Sequence, residues 1–362
     1  MTLIDLRSDT VTRPTPEMRE AMRNAVVGNA AWNEDPTVRE LEEKSARAVG
    51  KEAGLFVPSG TMGNQVAIWV HTAKTHGPEV ICEARSHIYL NESAGIAVLA
   101  RAQVKPVAGV RGAMPPEAVE AAIQPRGNVL KPRTALIALE NTHNFASGAA
   151  VPLENHRAIR EIAERHNIPV HLDGARVFNA AVALGVPASA IGREVDTVQF
   201  CFSKGLGAPV GSVVCGSHAF IEEARKIRQI LGGALRQAGV LAAPALIGLE
   251  TMTKRLHVDH ENARRLAQGL AKLEGLRVDP RVDTNIVIFD VRDLGVTAAE
   301  FTRALYEQGV GFSQVSPTEV RAVTHNDVTD KDIAQALDVT ARVVEALRAG
   351  KRAAGAGGVG PY

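Results

Sequence analysis

Three cysteines in 362 residues, none in a C-x-x-C spacing, leave no basis for a disulfide framework or a cysteine-rich metal site. Cys82, Cys201 and Cys215 sit in apolar, strand-like runs, which predicts buried thiols and a reducing compartment. Charge of one sign is also missing. The formal net charge is +1, so neither nucleic acid nor an anionic membrane is expected as the main partner. No apolar run approaches the length of a membrane-spanning helix. The opening stretch MTLIDLRSDTVTRP carries charges where an export signal needs an apolar centre, which predicts a cytoplasmic protein. There is no internal repeat.

What is present is a regular alternation. AGLFVPSG, EVICEA, TALIALE, IPVHLDGA, DTVQFCFS and GSVVCG read as strands. PEMREAMRNAVVG, PTVRELEEKSARAVG, TMGNQVAIWVHTA, PLENHRAIREIAERHN and FNAAVALGV read as helices. Strands alternating with helices predict an α/β fold with a mostly parallel, helix-covered sheet, and near-continuous apolar strands fit burial on both faces. After about residue 250 the pattern becomes a smaller α+β unit. The expected division is an N-terminal arm (1–15), a large domain (16–250), a small C-terminal domain (251–345) and a flexible tail (346–362).

Ligands of open parallel sheets bind beyond the carboxyl ends of the strands. At those ends stand Ser59-Gly60-Thr61, Arg85 to His87, Glu140 to His143, Asp173 to Arg176 and Ser203-Lys204. Lys204 is the most pointed of these, a single ammonium between FCFS and GLGAPVGS. The combination suits pyridoxal 5'-phosphate, which needs an amine for its aldehyde, a carboxylate for its pyridine nitrogen and backbone N–H groups for its phosphate. Ser59, Gly60 and Thr61 in PSGTMGN offer the last, and His87 offers a plane to cover the ring. Taken singly, each has a plainer explanation. Lys204 can be a loop lysine, Asp173, Ser59 and Thr61 helix caps, and His87 and His143 hydrogen-bonded structural histidines. HVDH at 257–260 is expected to be a solvated helix face, and no metal site is predicted.

Taken together, IDLRSDTVTRPTPEMREAM, EDPTVRELE, PSGTMGN, SHIY, LENTHN, HLDGARVFNA, FSKGLGAPVGS, LGGALRQAG and VRAVTHNDV resemble the low-specificity L-threonine aldolases, of the β-eliminating lyase group of fold-type-I pyridoxal phosphate enzymes. The resemblance runs from about residue 3 to 345. It implies that Lys204 binds the cofactor's aldehyde, Asp173 pairs with its pyridine nitrogen, Gly60 and Thr61 hold its phosphate, and His87 stacks on its ring. It places Arg176 near the ring oxygen and the substrate carboxylate, His143 near the substrate β-hydroxyl, and Ser8 and Arg321 on the carboxylate. Arg236 matches a position that reaches a neighbouring subunit's phosphate, which implies a homotetramer built from dimers with shared sites.

Trp32, Asn91 and Gln229 depart from the family pattern, the first two near the substrate side chain and the third near the phosphate. The expected activity is cleavage of L-threonine or L-allo-threonine to glycine and an aldehyde, with His87 or His143 as base. The alternatives are β-elimination, a phenylserine-type aldolase, or a pyridoxal phosphate carrier without turnover.

Overall fold

Strands rich in apolar residues on both faces have little to offer water, and here they occupy the middle of a seven-stranded sheet. The computed structural model describes residues 3–356, with side chains through residue 350. Its strands are β1 (Ile4–Asp5), β2 (Ala53–Val57), β3 (Pro78–Glu83), β4 (Gln103–Val107), β5 (Arg133–Glu140), β6 (Val170–Asp173), β7 (Thr197–Cys201), β8 (Ser212–Gly216), β9 (Arg277–Val278), β10 (Ile286–Asp290), β11 (Val310–Gly311), β12 (Ser313–Gln314) and β13 (Glu319–Val323). The large sheet runs β2-β8-β7-β6-β5-β3-β4. β4, β3, β5, β6 and β7 are mutually parallel, while β8 is antiparallel to both neighbours. β3, β6, β7 and β8 are buried at every residue, as strands covered by helices on both faces must be.

Two units are present, one from Thr12 to Leu256 and one combining the residues up to Val11 with those from His257 onward. The first contains the seven-stranded sheet. In the second, β1 pairs in parallel with β11, and β12, β13, β10 and β9 form an antiparallel sheet. Its core includes Leu6, Leu266, Phe289, Phe301 and Val320. The N-terminal segment thus belongs to the smaller unit as far as Val11, with the strand Ile4–Asp5 and a 3-10 turn at Asp9–Val11. The last helix is Asp330–Ala356, so the stretch expected to be flexible from 346 is helical to Ala356. Ala, Arg, Lys and Leu in ALRAGKRAA are strong helix formers, which carries the helix on. Residues 357–362 of that tail lie outside the described residues.

Three local features depart from the sequence reading. β4 is a strand although QVKPV is polar and contains Pro106; it is an edge strand, where a missing N–H is tolerated. Gly239–Thr251 is a helix with Pro244 inside it, apolar around most of its circumference and packed into the core. HVDH is only half a solvated face: His257 and Val258 are exposed, whereas Asp259 and His260 are 0% and 2% exposed. The Thr324 hydroxyl donates to the Asp259 carbonyl, and burial lowers the His260 pKa to about 4. All three cysteines are free and buried, and burial pushes the Cys82 thiol up to about 12. Among the described residues, no helix is long and apolar enough to cross a membrane.

Candidate active site

Parallel strands deliver their carboxyl ends to one edge of the sheet, and there the charged residues gather. A cavity of about 150 Å³ is lined by Ser59, Gly60, Thr61, Asn64, His87, Glu92, Asp173, Ala175, Gln199, Cys201, Ser203 and Lys204. Six of the residues singled out from the sequence therefore meet in one place: Ser59, Gly60, Thr61, His87, Asp173 and Lys204.

Each is positioned by a local cause. Ser59 is the N-cap of the helix Gly60–Thr72, and its hydroxyl accepts from the Met62 N–H at 3.2 Å. The first N–H groups of that helix have no partner within it and form an anion site at its positive end. Gly60 lets the helix approach the sheet: a Cβ there would lie 2.7 Å from Cys201 Sγ and 3.1 Å from Gln199 Nε2. Lys204 lies in the turn between the antiparallel β7 and β8, three residues past Cys201. Its carbonyl accepts from the Thr12 hydroxyl at 3.2 Å and the Gly207 N–H at 2.8 Å, so the backbone beneath the amine is held from two sides.

Asp173 closes β6 and is 2% exposed. Its Oδ2 accepts from Asn64 Nδ2 at 2.9 Å and its Oδ1 from the Ala175 N–H at 3.1 Å. Both donors fix the plane of the carboxylate. His87 begins a short helix, where its N–H donates to Glu140 Oε2 at 2.6 Å. Its Nδ1 lies 3.0 Å from Glu92 Oε1, and its ring is 32% exposed. Burial opposes a charge on His87, but the Glu92 hydrogen bond and the Asp173 charge outweigh it, so the pKa is raised. The side-chain nitrogen and oxygens of His87, Glu92 and Asp173 fall within 4.8 Å of one another.

His143 is placed differently. It is 1% exposed and lies outside the lining of the cavity. Its Nε2 pairs with Glu83 Oε2 at 2.9 Å, and its Nδ1 is buried with no hydrogen-bond partner. Burial works against its charge, while Glu83 and Glu140 raise its pKa. Gly112, at φ +83°, makes room for this ring, since a Cβ there would meet it at 2.4 Å. Arg176 is buried at the start of the helix Val177–Leu184. Arg236 is exposed, and its carbonyl accepts from the Ala30 N–H at 2.9 Å. Ser8 and Arg321 belong to the smaller unit, where the Ser8 hydroxyl accepts from Thr10 at 2.8 Å and Arg321 lies on β13. Of the departures from the family pattern, Trp32 is 72% exposed, and Asn91 and Gln229 are also exposed.

One carboxylate, Glu92, and one amide, Asn64, were not singled out from the sequence, whereas Glu140 was, at the end of its strand. Glu92 accepts from His87, from Asn64 Nδ2 at 2.9 Å and from Gln65 Nε2 at 2.6 Å. Glu140 receives the N–H groups of His87 and Asn144, and burial raises its pKa. Asn64 and Glu140 lie within quoted motifs, PSGTMGN and LENTHN, whereas Glu92 stands in an irregular stretch that carries no pattern.

An amine, a carboxylate, a helix N-terminus and a half-buried imidazole in one cleft are what pyridoxal phosphate requires, and the donor set fits it. A family model of β-eliminating lyases matches residues 5–294. The chain belongs to the β-eliminating lyase family, on its L-threonine aldolase branch. It is 46% identical over 337 residues to low-specificity L-threonine aldolase 1 of Arabidopsis thaliana, covering 92% of this chain and 94% of that one. It is 40% identical over 335 residues to the low specificity L-threonine aldolase of Escherichia coli K12, covering 92% and 97%. Among solved structures, Leishmania major threonine aldolase superposes with a TM-score of 0.80 at 17% identity, over 94% of this chain and 99% of the other. Serine palmitoyltransferase of Sphingomonas wittichii gives 0.75 at 18%, over 95% and 88%. At such low identity the structural likeness establishes the fold.

Proposed function

We propose that this protein is a pyridoxal phosphate-dependent carbon–carbon lyase that cleaves L-threonine or L-allo-threonine to glycine and an aldehyde. The observation that carries the reading is the convergence of Lys204, Asp173, His87 and the Ser59-Gly60-Thr61 helix start on one cavity. Lys204 supplies the amine for the cofactor's aldehyde, Asp173 faces its pyridine nitrogen, and the first N–H groups of the helix Gly60–Thr72 take its phosphate. When bound, the cofactor supplies an electron sink for the breaking Cα–Cβ bond.

The chain's own residues handle the proton and the orientation. Cleavage requires loss of the β-hydroxyl proton. His87, whose Nδ1 is engaged by Glu92, retains Nε2 as the atom that accepts it, directly or through one water. His143 is held by Glu83 and lies outside the cavity lining, which favours a supporting role for it. Arg176 grips the substrate carboxylate in this reading.

The assembly is a homo-oligomer, a dimer or a tetramer made of two such dimers, in which Arg236 serves a neighbour's phosphate. Support comes from its exposure and from the exposed apolar residues on the segments flanking it: Val26 at 67%, Trp32 at 72% and Ile230 at 65%. The backbone bond from Ala30 to Arg236 ties these segments together, and apolar exposure of this kind marks association surfaces. The compartment is proposed to be the cytoplasm, in keeping with the three free thiols.

The cofactor assignment is tested by borohydride reduction and mass spectrometry. Expected is a visible absorbance band and an adduct on Lys204, both lost in Lys204→Ala. An adduct on another lysine would overturn it.

A further inference from the structure

One group of buried polar side chains has no place in the chemistry above. It begins at Asp173 and runs away from the cavity, between the sheet and the helix Gly60–Thr72. Asn64 Nδ2 lies 2.9 Å from Asp173 Oδ2 and 2.9 Å from Glu92 Oε1. Asn64 Oδ1 lies 3.1 Å from His171 Nε2. His171 Nδ1 lies 2.9 Å from Thr197 Oγ1, and His71 Nε2 lies 2.9 Å from that same hydroxyl.

The direction of every hydrogen in this series follows from the amide. Its nitrogen has two hydrogens, and two carboxylates face it. Turned over, the amide would set its oxygen against both acceptors. Oδ1 therefore faces His171, and His171 Nε2 carries the hydrogen. A neutral His171 then presents a bare Nδ1, so the single Thr197 hydroxyl hydrogen goes there. Thr197 Oγ1 in turn accepts from His71 Nε2–H. Burial lowers the His171 pKa to about 3 and the His71 pKa to about 4, so both rings stay uncharged at neutral pH. The series cannot be reversed by ordinary titration.

The backbone explains why these residues align. His171 and Asp173 are two apart on β6 and share a face of the sheet. Thr197 is the register partner of His171 on β7. Asn64 and His71 are seven apart in one helix and lie on its same side.

We propose that Asn64 and His171 are positioning residues for Asp173, the inner links of a one-way hydrogen-bond chain, Asp173–Asn64–His171–Thr197–His71, that fixes the carboxylate's orientation. This rests on the proposed function, in which Asp173 faces the pyridine nitrogen. Asn64 has a second consequence. It gives one hydrogen to each of Glu92 and Asp173, and so supplies both buried carboxylates of the cleft with a donor. His171 acts on the site without touching it, because its donation holds the amide the right way round. If the chain merely satisfied buried polar atoms, any substitution that folded would leave the electron sink intact.

The test compares His171→Gln with His171→Phe in the full-length protein with cofactor, beside a nitrogen-15 spectrum of the histidine rings of the wild type with and without cofactor. Glutamine keeps a donor nitrogen near the place of Nε2; phenylalanine keeps bulk and loses the donor. By analogy with partners that orient metal ligands, His171→Phe is expected to weaken cofactor affinity and lower kcat by about ten- to a hundred-fold. KM for threonine should stay within a few-fold, and His171→Gln should recover most of the loss. A folded His171→Phe protein with wild-type cofactor affinity, absorbance spectrum and kcat would overturn the proposal. The ring spectrum decides independently of any variant. His171 is expected as the Nε2–H tautomer throughout neutral pH, and an Nδ1–H tautomer or an imidazolium would overturn the chain's direction. A wild-type protein that binds no cofactor would sink the proposed function instead, while the spectrum recorded without cofactor still decides the chain.

Discussion

Replacing Gly60 by alanine tests the close approach on which the phosphate site depends. The added Cβ would stand 2.7 Å from Cys201 Sγ and 3.1 Å from Gln199 Nε2. The first distance is well inside contact, and the thiol sits on a short side chain of a fully buried strand. Something rigid must move, and overpacking of this sort costs about 1–3 kcal/mol. The helix start would be pushed off the strand ends, so cofactor affinity should fall as well. Cys201→Ala removes the nearest atom. The remaining neighbour is the far end of a glutamine, which can yield. Gly60→Ala should therefore cost about 1 kcal/mol less in the Cys201→Ala background than in the wild type, a coupling of ordinary size for residues in contact. The assay is urea unfolding of the four proteins at one fixed cofactor concentration, with cofactor dissociation constants measured alongside. An identical cost of Gly60→Ala in both backgrounds would refute the packing argument.

Further outcomes follow from the same geometry. His87 must be neutral to take a proton, and its pKa is raised, so activity should fall with acid from a pH above the ordinary histidine value. Glu92→Gln removes the partner that outweighs burial, so this acidic limb should move to lower pH; a limb that stays put in a kcat/KM profile would count against His87 as base. Asp173→Asn should keep some cofactor and lose most turnover, since a charge-assisted bond is about twice as strong as a neutral one; near-normal kcat would refute the role. His87→Ala should lower kcat at least about ten-fold more than His143→Ala, as general bases contribute about a hundred-fold or more. His143→Ala should change the ratio of rates for L-threonine and L-allo-threonine by no more than several-fold, the worth of about one hydrogen bond. Arg236→Ala subunits mixed with Lys204→Ala subunits should regain activity in hybrid dimers, because one of the two sites would then have both residues; no recovery, or an active monomer by light scattering, would argue against a shared site.

Much of this architecture was legible because β-strands that end in charged residues have one physical explanation. Apolar runs placed β3, β5, β6 and β7; of the residues at or after their ends, His87, Asp173 and Lys204 line the cavity, while His143 after β5 does not. Where reading failed, tertiary context had overridden local pattern. QVKPV becomes a strand because it is at an edge, and Gly239–Thr251 becomes a helix because its surroundings are apolar on every side. Asp259 and His260 face the core although their helix is polar by composition. Glu92 follows His87 by five residues, just past the short helix His87–Leu90 and just before Ser93 and Ala94, which have positive φ. No periodicity connects the two side chains, and only the folded loop brings them to 3.0 Å. The Asn64–His171 link had a trace in the sequence, a polar residue two before Asp173 on an otherwise apolar strand, but its partner was 107 residues away. His143 lay in a legible motif, yet its burial against Glu83 depends on the room that Gly112 leaves from a different loop.

The most direct trial of the account is the product balance. Purified wild-type protein and Lys204→Ala, each with added pyridoxal phosphate, are given L-threonine, and glycine, acetaldehyde, ammonia and 2-oxo acid are measured together. The account predicts glycine and acetaldehyde in equal amounts from the wild type and neither from the variant. A 2-oxo acid with ammonia, or turnover that persists without Lys204, would contradict it.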